Sequence, residues 1–119
     1  MPTREQERAQ RAYACVAGRK GNGKEADYKR FCQRFPALVQ SGGLAQAVAF
    51  AEAKDRTDYL DDLACVAGSC NRETLAAQAR GDELARYQKL SRDALAAATW
   101  LKRYAEALLA DKPPKGDPA

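Results

Sequence analysis

The chain has 119 residues, a net charge of +4, 45% apolar and 30% charged residues. That balance fits one soluble globular domain with a real core and excludes a disordered chain. No run approaches the roughly 20 apolar residues that span a bilayer, residues 1–8 are too charged for a signal peptide, and a cytoplasmic location is the expectation.

Ala is abundant, β-branched residues are scarce, and Gly and Pro cluster in a few places. This composition predicts an all-α fold, a compact single-domain helical bundle of about five to seven helices over residues 1–110. Residues 111–119 read as a disordered Pro-rich tail.

Thr3 and Gln6 have capping-box spacing, so a first helix is expected from there to about Ala17, with Ala9, Ala12, Tyr13 and Val16 inward. Gly18, Gly21 and Gly23 interrupt it with the basic loop 19–24, a flexible linker without the Gly-Lys-Ser/Thr ending of a nucleotide-binding loop. A second helix is expected over 25–34, with Tyr28, Phe31, Cys32 and Phe35 on its inner face. Pro36 should break or kink the axis, leaving a short helix at 36–41 that ends at Gly42.

The segment after Gly43 is the most apolar of the chain. Between Leu44 and Ala51 only Gln46 is polar, which predicts a helix over 43–54 buried on all sides at the centre of the fold. A charged turn leads to a helix over 58–67, closed by Gly68, and a short weak helix over 75–80 stops at Gly81. Asp82 is the expected N-cap of a long last helix reaching about Ala110. Its stripe reads Leu84, Tyr87, Ser91, Ala94, Ala98, Leu101, Ala105 and Leu108, and Pro113 and Pro114 follow.

Little in the chain points to catalysis. His is absent, so acid–base work would fall to carboxylates or lysines. Asp58 and Asp62 would share a helix face with Asp61 nearby, as a two-carboxylate metal site needs, but an acidic first turn favoured by the helix dipole is the simpler reading. Cys15, Cys32, Cys65 and Cys70 lack the Cys-x-x-Cys spacing of a zinc site and read as small, partly buried thiols. No catalytic residue, metal or cofactor is assigned.

Charge is unevenly placed. Residues 1–59 carry eleven Lys and Arg against seven Asp and Glu, while residues 60–119 balance. A basic N-terminal half is the kind of footprint a phosphate backbone needs, although a solvated helix face reads the same way. Lys29, Arg30 and Arg34 are candidates within it, 30 and 34 lying one helical turn apart.

Two blocks carry a resemblance. Phe35-Pro36-Ala37-Leu38-Val39-Gln40-Ser41-Gly42-Gly43-Leu44, continuing to Ala49-Phe50, resembles the Leu-Pro-Ala-Leu-Ile…Asn-Gly-Leu…Ala-Phe signature of the small all-helical subunit of type III-B CRISPR effector complexes (Cmr complexes). Ser91-Arg92-Asp93-Ala94-Leu95, continuing to Trp100-Leu101-Lys102-Arg103-Tyr104-Ala105, is similar to that family's Glu-Ala-Leu…Trp-Leu-Lys-Arg-Phe-Ala. Glu5-Gln6-Glu7-Arg8-Ala9 fits more weakly. The family's Asn before Gly is Gly42 here, a swap between the two residues that most readily leave a helix left-handed.

The resemblance implies a non-catalytic subunit of an antiviral ribonucleoprotein. Such a subunit stacks with copies of itself and other Cmr subunits along crRNA and target RNA, with no membrane involved. It makes Lys102 and Arg103 RNA-contact candidates, although cations near a helix C-terminus are also favoured by the dipole. Pro36, Gly42, Gly43 and Trp100 read as fold determinants. A helical DNA-binding transcriptional regulator is the alternative, but the helix after Gly43 lacks the polar side chains a recognition helix uses to read bases.

Overall fold

The computed structural model describes residues 2–69 and 71–110. Six helices follow one another: α1 Arg4–Ala17, α2 Glu25–Gly42, α3 Leu44–Ala53, α4 Thr57–Ala67, α5 Arg72–Gly81 and α6 Leu84–Leu108. There is no strand among the described residues. The expected tail at 111–119 lies outside them, as does Cys70.

Helix α1 starts as its capping box dictates. Thr3 Oγ1 accepts from the Gln6 N–H at 3.1 Å, and Gln6 Oε1 accepts from the Thr3 N–H at 2.7 Å. Two donors otherwise left over at the helix end are thereby satisfied. Ala12 and Val16 are buried, whereas Tyr13, expected inward, is 51% exposed.

The expected break at Pro36 does not occur. Helix α2 is continuous over 18 residues with Pro36 inside it. A mid-helix proline costs about 3 kcal/mol through the lost hydrogen bond and the ring's clash with the preceding turn. Burial on both sides of it offsets that cost: Phe31, Cys32, Phe35 and Val39 all lie in the core. The Gly43 N–H then bonds Val39 O at 2.8 Å and closes the last turn.

The turn into α3 also differs from expectation. Gly42 is the last helical residue of α2, and it is Gly43 that has positive φ, at φ 86 and ψ 164. That region is open essentially to Gly alone, and a Cβ there would stand 3.3 Å from Tyr87 Oη. The same hydroxyl accepts from the Ala45 N–H at 3.1 Å, tying the start of α3 to the start of α6.

Helix α3 is not the centre of the fold. Leu44, Ala47, Val48 and Ala51 are buried, but Gln46, Ala49, Glu52 and Ala53 lie toward the outside and Phe50 is half-buried. It packs on α2, α4 and α5, whereas α6 packs on α1, α2, α4 and α5. The small side chains of α6 explain its central place. Ala94, Ala97, Ala98 and Ala105 are fully buried around Leu101, and such small residues let neighbouring helices approach closely at native packing density. An aromatic seam joins α2 to α4, with the Tyr59 ring 5.1 Å from Phe31 and 5.0 Å from Phe35.

Other boundaries shift modestly. Helix α5 begins earlier than expected because Asn71 caps it, its side chain accepting from the Thr74 N–H at 2.8 Å. Asp82 ends α5 rather than capping α6, which begins after Glu83 without a side-chain cap bond. Leu84, expected in the stripe, is 71% exposed.

One corner of the core is polar. Arg19 reaches Asp62 with two bonds, Nε to Oδ2 at 3.0 Å and Nη2 to Oδ1 at 3.1 Å, and donates to Asp58 O at 3.1 Å. Tyr28 Oη donates to the same Asp62 carboxylate. Burial first, and then the nearby thiol and acid, push the Tyr28 hydroxyl far above its ordinary pKa. The bonds that Arg19 donates to Asp62 raise its own pKa. The glycine-rich loop, expected to be a free linker, is thus anchored at its first residue.

Candidate nucleic-acid interface

On the outer side of α6, aromatic rings and arginines meet without full burial. Arg103 is exposed, and its guanidinium lies 5.2 Å from the Trp100 ring centroid. Trp100 is half-buried at the edge of the core. Its indole N–H donates to Glu5 Oε2 at 2.9 Å, joining α6 to α1. That bond, and a second from Arg8 at 2.9 Å, hold the Glu5 carboxyl below the usual carboxylate range. Arg92 and Arg103 bracket a shallow depression floored by Leu95, Ala96 and Thr99.

Lys102 does not share this surface with Arg103. It lies one turn before Glu106, which accepts from Gln33 of α2 at 3.3 Å, so the two adjacent cations point about 100° apart around the helix. Lys102 is half-buried on the α2 flank.

The second group of candidates divides. Lys29 is 8% exposed and donates to Leu109 O at 3.1 Å. Beside it Glu25 accepts from the Ala110 N–H at 2.8 Å. A buried amine on a backbone carbonyl fastens the end of α6 to α2 and is poorly placed to meet a phosphate. Arg30 is exposed and paired with Asp27. Arg34 is exposed, 5.3 Å over the Phe50 ring, which Lys54 also approaches at 5.7 Å. Arg34 and Lys54 therefore form a small basic group at the α2–α3 end of the molecule.

A third basic surface lies outside the candidates drawn from the sequence. Arg4, Arg8 and Arg11 fall on one face of α1 and line a cleft with Lys89 and Asp93 of α6. Their spacing of four and three was the available signal. Arg8 is largely committed there, bonded to Asp93 at 2.8 Å, and Lys89 meets the same carboxylate at 2.8 Å.

The three aspartates considered for metal each bond a different partner. Asp58 Oδ1 accepts from the Tyr59 N–H at 2.7 Å, Asp61 pairs with Arg72 at 2.8 Å, and Asp62 holds Arg19 and Tyr28. Among the described residues there is no group of three His, Cys, Asp or Glu side chains that could hold a metal ion. Cys15, Cys32 and Cys65 are free thiols, and burial pushes Cys15 up to about 12.

This helical order recurs in known proteins. The chain is 41% identical over 113 residues to the CRISPR system Cmr subunit Cmr5 of Thermus thermophilus, a match covering 92% of this chain and 98% of that one. The crystal structure of a CRISPR-associated Cmr5 family protein from the same organism superposes with a TM-score of 0.85. It is 39% identical and covers 91% of this chain and 98% of its own. The family model for the CRISPR-associated protein Cas_Cmr5 matches residues 4–108, from the first residue of α1 to the last of α6. The chain belongs to the Cmr5 family of CRISPR-associated proteins.

Proposed function

We propose that this protein is the small, non-catalytic subunit of a type III-B CRISPR (Cmr) ribonucleoprotein, and that it contacts the backbone of target RNA or crRNA through exposed arginines. The observation that carries the reading is the nearly end-to-end match to a Cmr subunit. Other Cmr subunits are its partners, and copies of itself stack beside it. A cytoplasmic location goes with this role, and no described helix is long and apolar enough to cross a membrane.

Arg103 and Arg34 are the principal RNA-contact candidates, with Lys102 and Arg30 beside them. Each of the first two is exposed and rests on an aromatic ring rather than on a carboxylate. An arginine so placed can turn to a phosphate without breaking an ion pair. Lys29 has no part in the proposed contact. The DNA-binding alternative is not favoured, since α3 carries one buried face and exposes only Gln46 and Glu52 as polar side chains.

The test is target-RNA retention by the assembled complex at several salt concentrations, with wild-type subunit and with Lys102→Ala/Arg103→Ala. Each lost single-strand phosphate contact lowers the salt slope by about 0.7. Within a complex such contacts are effectively intramolecular and count for more than in the free subunit. Superimposed curves would remove both residues from the interface.

A further inference from the structure

Phosphate contact needs cations alone, yet the outer surface beside α6 also presents a row of rings. Tyr13 of α1 is half-exposed, and its ring meets Tyr104 edge-on at 5.5 Å and 87°. Tyr104 stacks on Trp100 at 5.8 Å and 22°. Arg103 lies over the indole. The row is held in place from below, because Glu5 fixes the edge of Trp100 through its N–H.

We propose that Tyr13, Tyr104 and Trp100 form a stacking platform for unpaired bases of single-stranded RNA, with Trp100 as the principal ring and Arg103 and Arg92 receiving the adjoining phosphates. This rests on the RNA-contact reading above and deepens it. Charge complementarity favours RNA over a protein partner. The cations around the apolar floor are arginines, and the carboxylate lining it, Glu5, is already bonded to Trp100 and Arg8. A planar ring on an apolar floor with arginines at its rim matches a nucleotide, which is a flat apolar base joined to an anion. The guanidinium now over the indole is exchangeable. A cation over a half-buried ring at the surface is held more weakly than a stacked base, and swinging it aside brings it to the phosphate of the base that replaces it.

Trp100 is the chain's one tryptophan, so its fluorescence reports on this surface directly. The full-length protein is titrated at low salt with a mixed-sequence single-stranded oligoribonucleotide and with a blunt RNA duplex of equal length. Anisotropy of labelled RNA follows binding to Trp100→Leu and Trp100→Phe. Single-stranded RNA should quench the fluorescence to saturation, and the duplex should not. Trp100→Leu should weaken single-strand affinity roughly tenfold while changing duplex affinity less than about twofold, and Trp100→Phe should keep most of it.

Absence of quenching, equal quenching by duplex, or equal loss of both affinities in Trp100→Leu overturns the platform. So does a spectral shift that follows protein concentration and ignores RNA, which would assign the face to a second copy of the chain. RNA binding that keeps its salt slope but never quenches Trp100 would sink the platform and leave the phosphate reading standing. Failure of Lys102→Ala/Arg103→Ala to alter the complex would remove this face from the phosphate reading, and the platform with it.

Discussion

Arg19 and Arg103 each lie over an aromatic ring, at 5.3 Å from Tyr28 and 5.2 Å from Trp100, and the resemblance ends there. Arg19 is held by both oxygens of Asp62 and by the Asp58 carbonyl, at the closed corner where the first loop meets α2 and α4. Arg103 is exposed, and the nearby Glu5 carboxylate, which feels its charge, bonds Trp100 and Arg8 instead. One cation is consumed in folding; the other stays exposed. A count of basic residues therefore overstates the surface available to RNA, and the N-terminal half, where the excess of charge lies, is where Arg8, Arg19 and Lys29 are consumed.

The widest separation between the two corners should come from Asp62→Ala. It leaves the Tyr28 hydroxyl without its acceptor and the Arg19 guanidinium with only the Asp58 carbonyl, and the loss should be about 3 kcal/mol, toward the low end for a buried pair because Arg19 is partly exposed. Urea unfolding measures it. A loss under about 1 kcal/mol would place the pair in solvent-like surroundings.

Trp100→Ala probes the open corner and should cost less than the roughly 3–5 kcal/mol of a fully buried aromatic. The ring sits at the rim of the core, so about 1–2 kcal/mol is expected from partial loss of apolar burial. A larger loss would mean the indole carries core packing and would weaken its availability to a base.

Lys102→Ala/Arg103→Ala should change stability by no more than about 0.5 kcal/mol while flattening the salt dependence of RNA retention. The converse variant, Arg19→Met, should destabilise the fold and leave that salt dependence alone. If both variants moved both quantities, the two corners would not be separable.

The smallest effect is a pH response at Glu5. Its folded pKa is depressed, first by the indole bond and then by Arg8, so its contribution is fully present above the unfolded value of about 4.3 and is lost as pH falls through the lower folded value. Trp100 fluorescence should therefore change below the ordinary glutamate range, and Glu5→Gln should abolish that transition. A midpoint at or above the ordinary value would show the bond to be absent in solution.

Much of the helix pattern was legible locally. Thr3 and Gln6 marked the first start, Gly68 marked the end of α4, and the two motif blocks pointed to the family. The misreadings share one cause. Pro36 reads as a break because the local cost is real, but Phe31, Phe35 and Val39 bury a single continuous face across it. The segment 44–51 looks central because it is apolar, yet much of that apolarity is alanine, which a surface helix can expose at little cost.

Composition and periodicity determined that this chain would be helical and where most helices would begin and end. They could do so because caps, glycines and apolar spacing act within a few residues of themselves. Which helix stands at the centre, and which arginines remain exposed, depended on contacts between residues far apart in the chain. Asp62 selects Arg19 across 43 positions and Glu5 selects Trp100 across 95. Only tertiary packing brings such pairs together, because burial and ion pairing are properties of the neighbours in space.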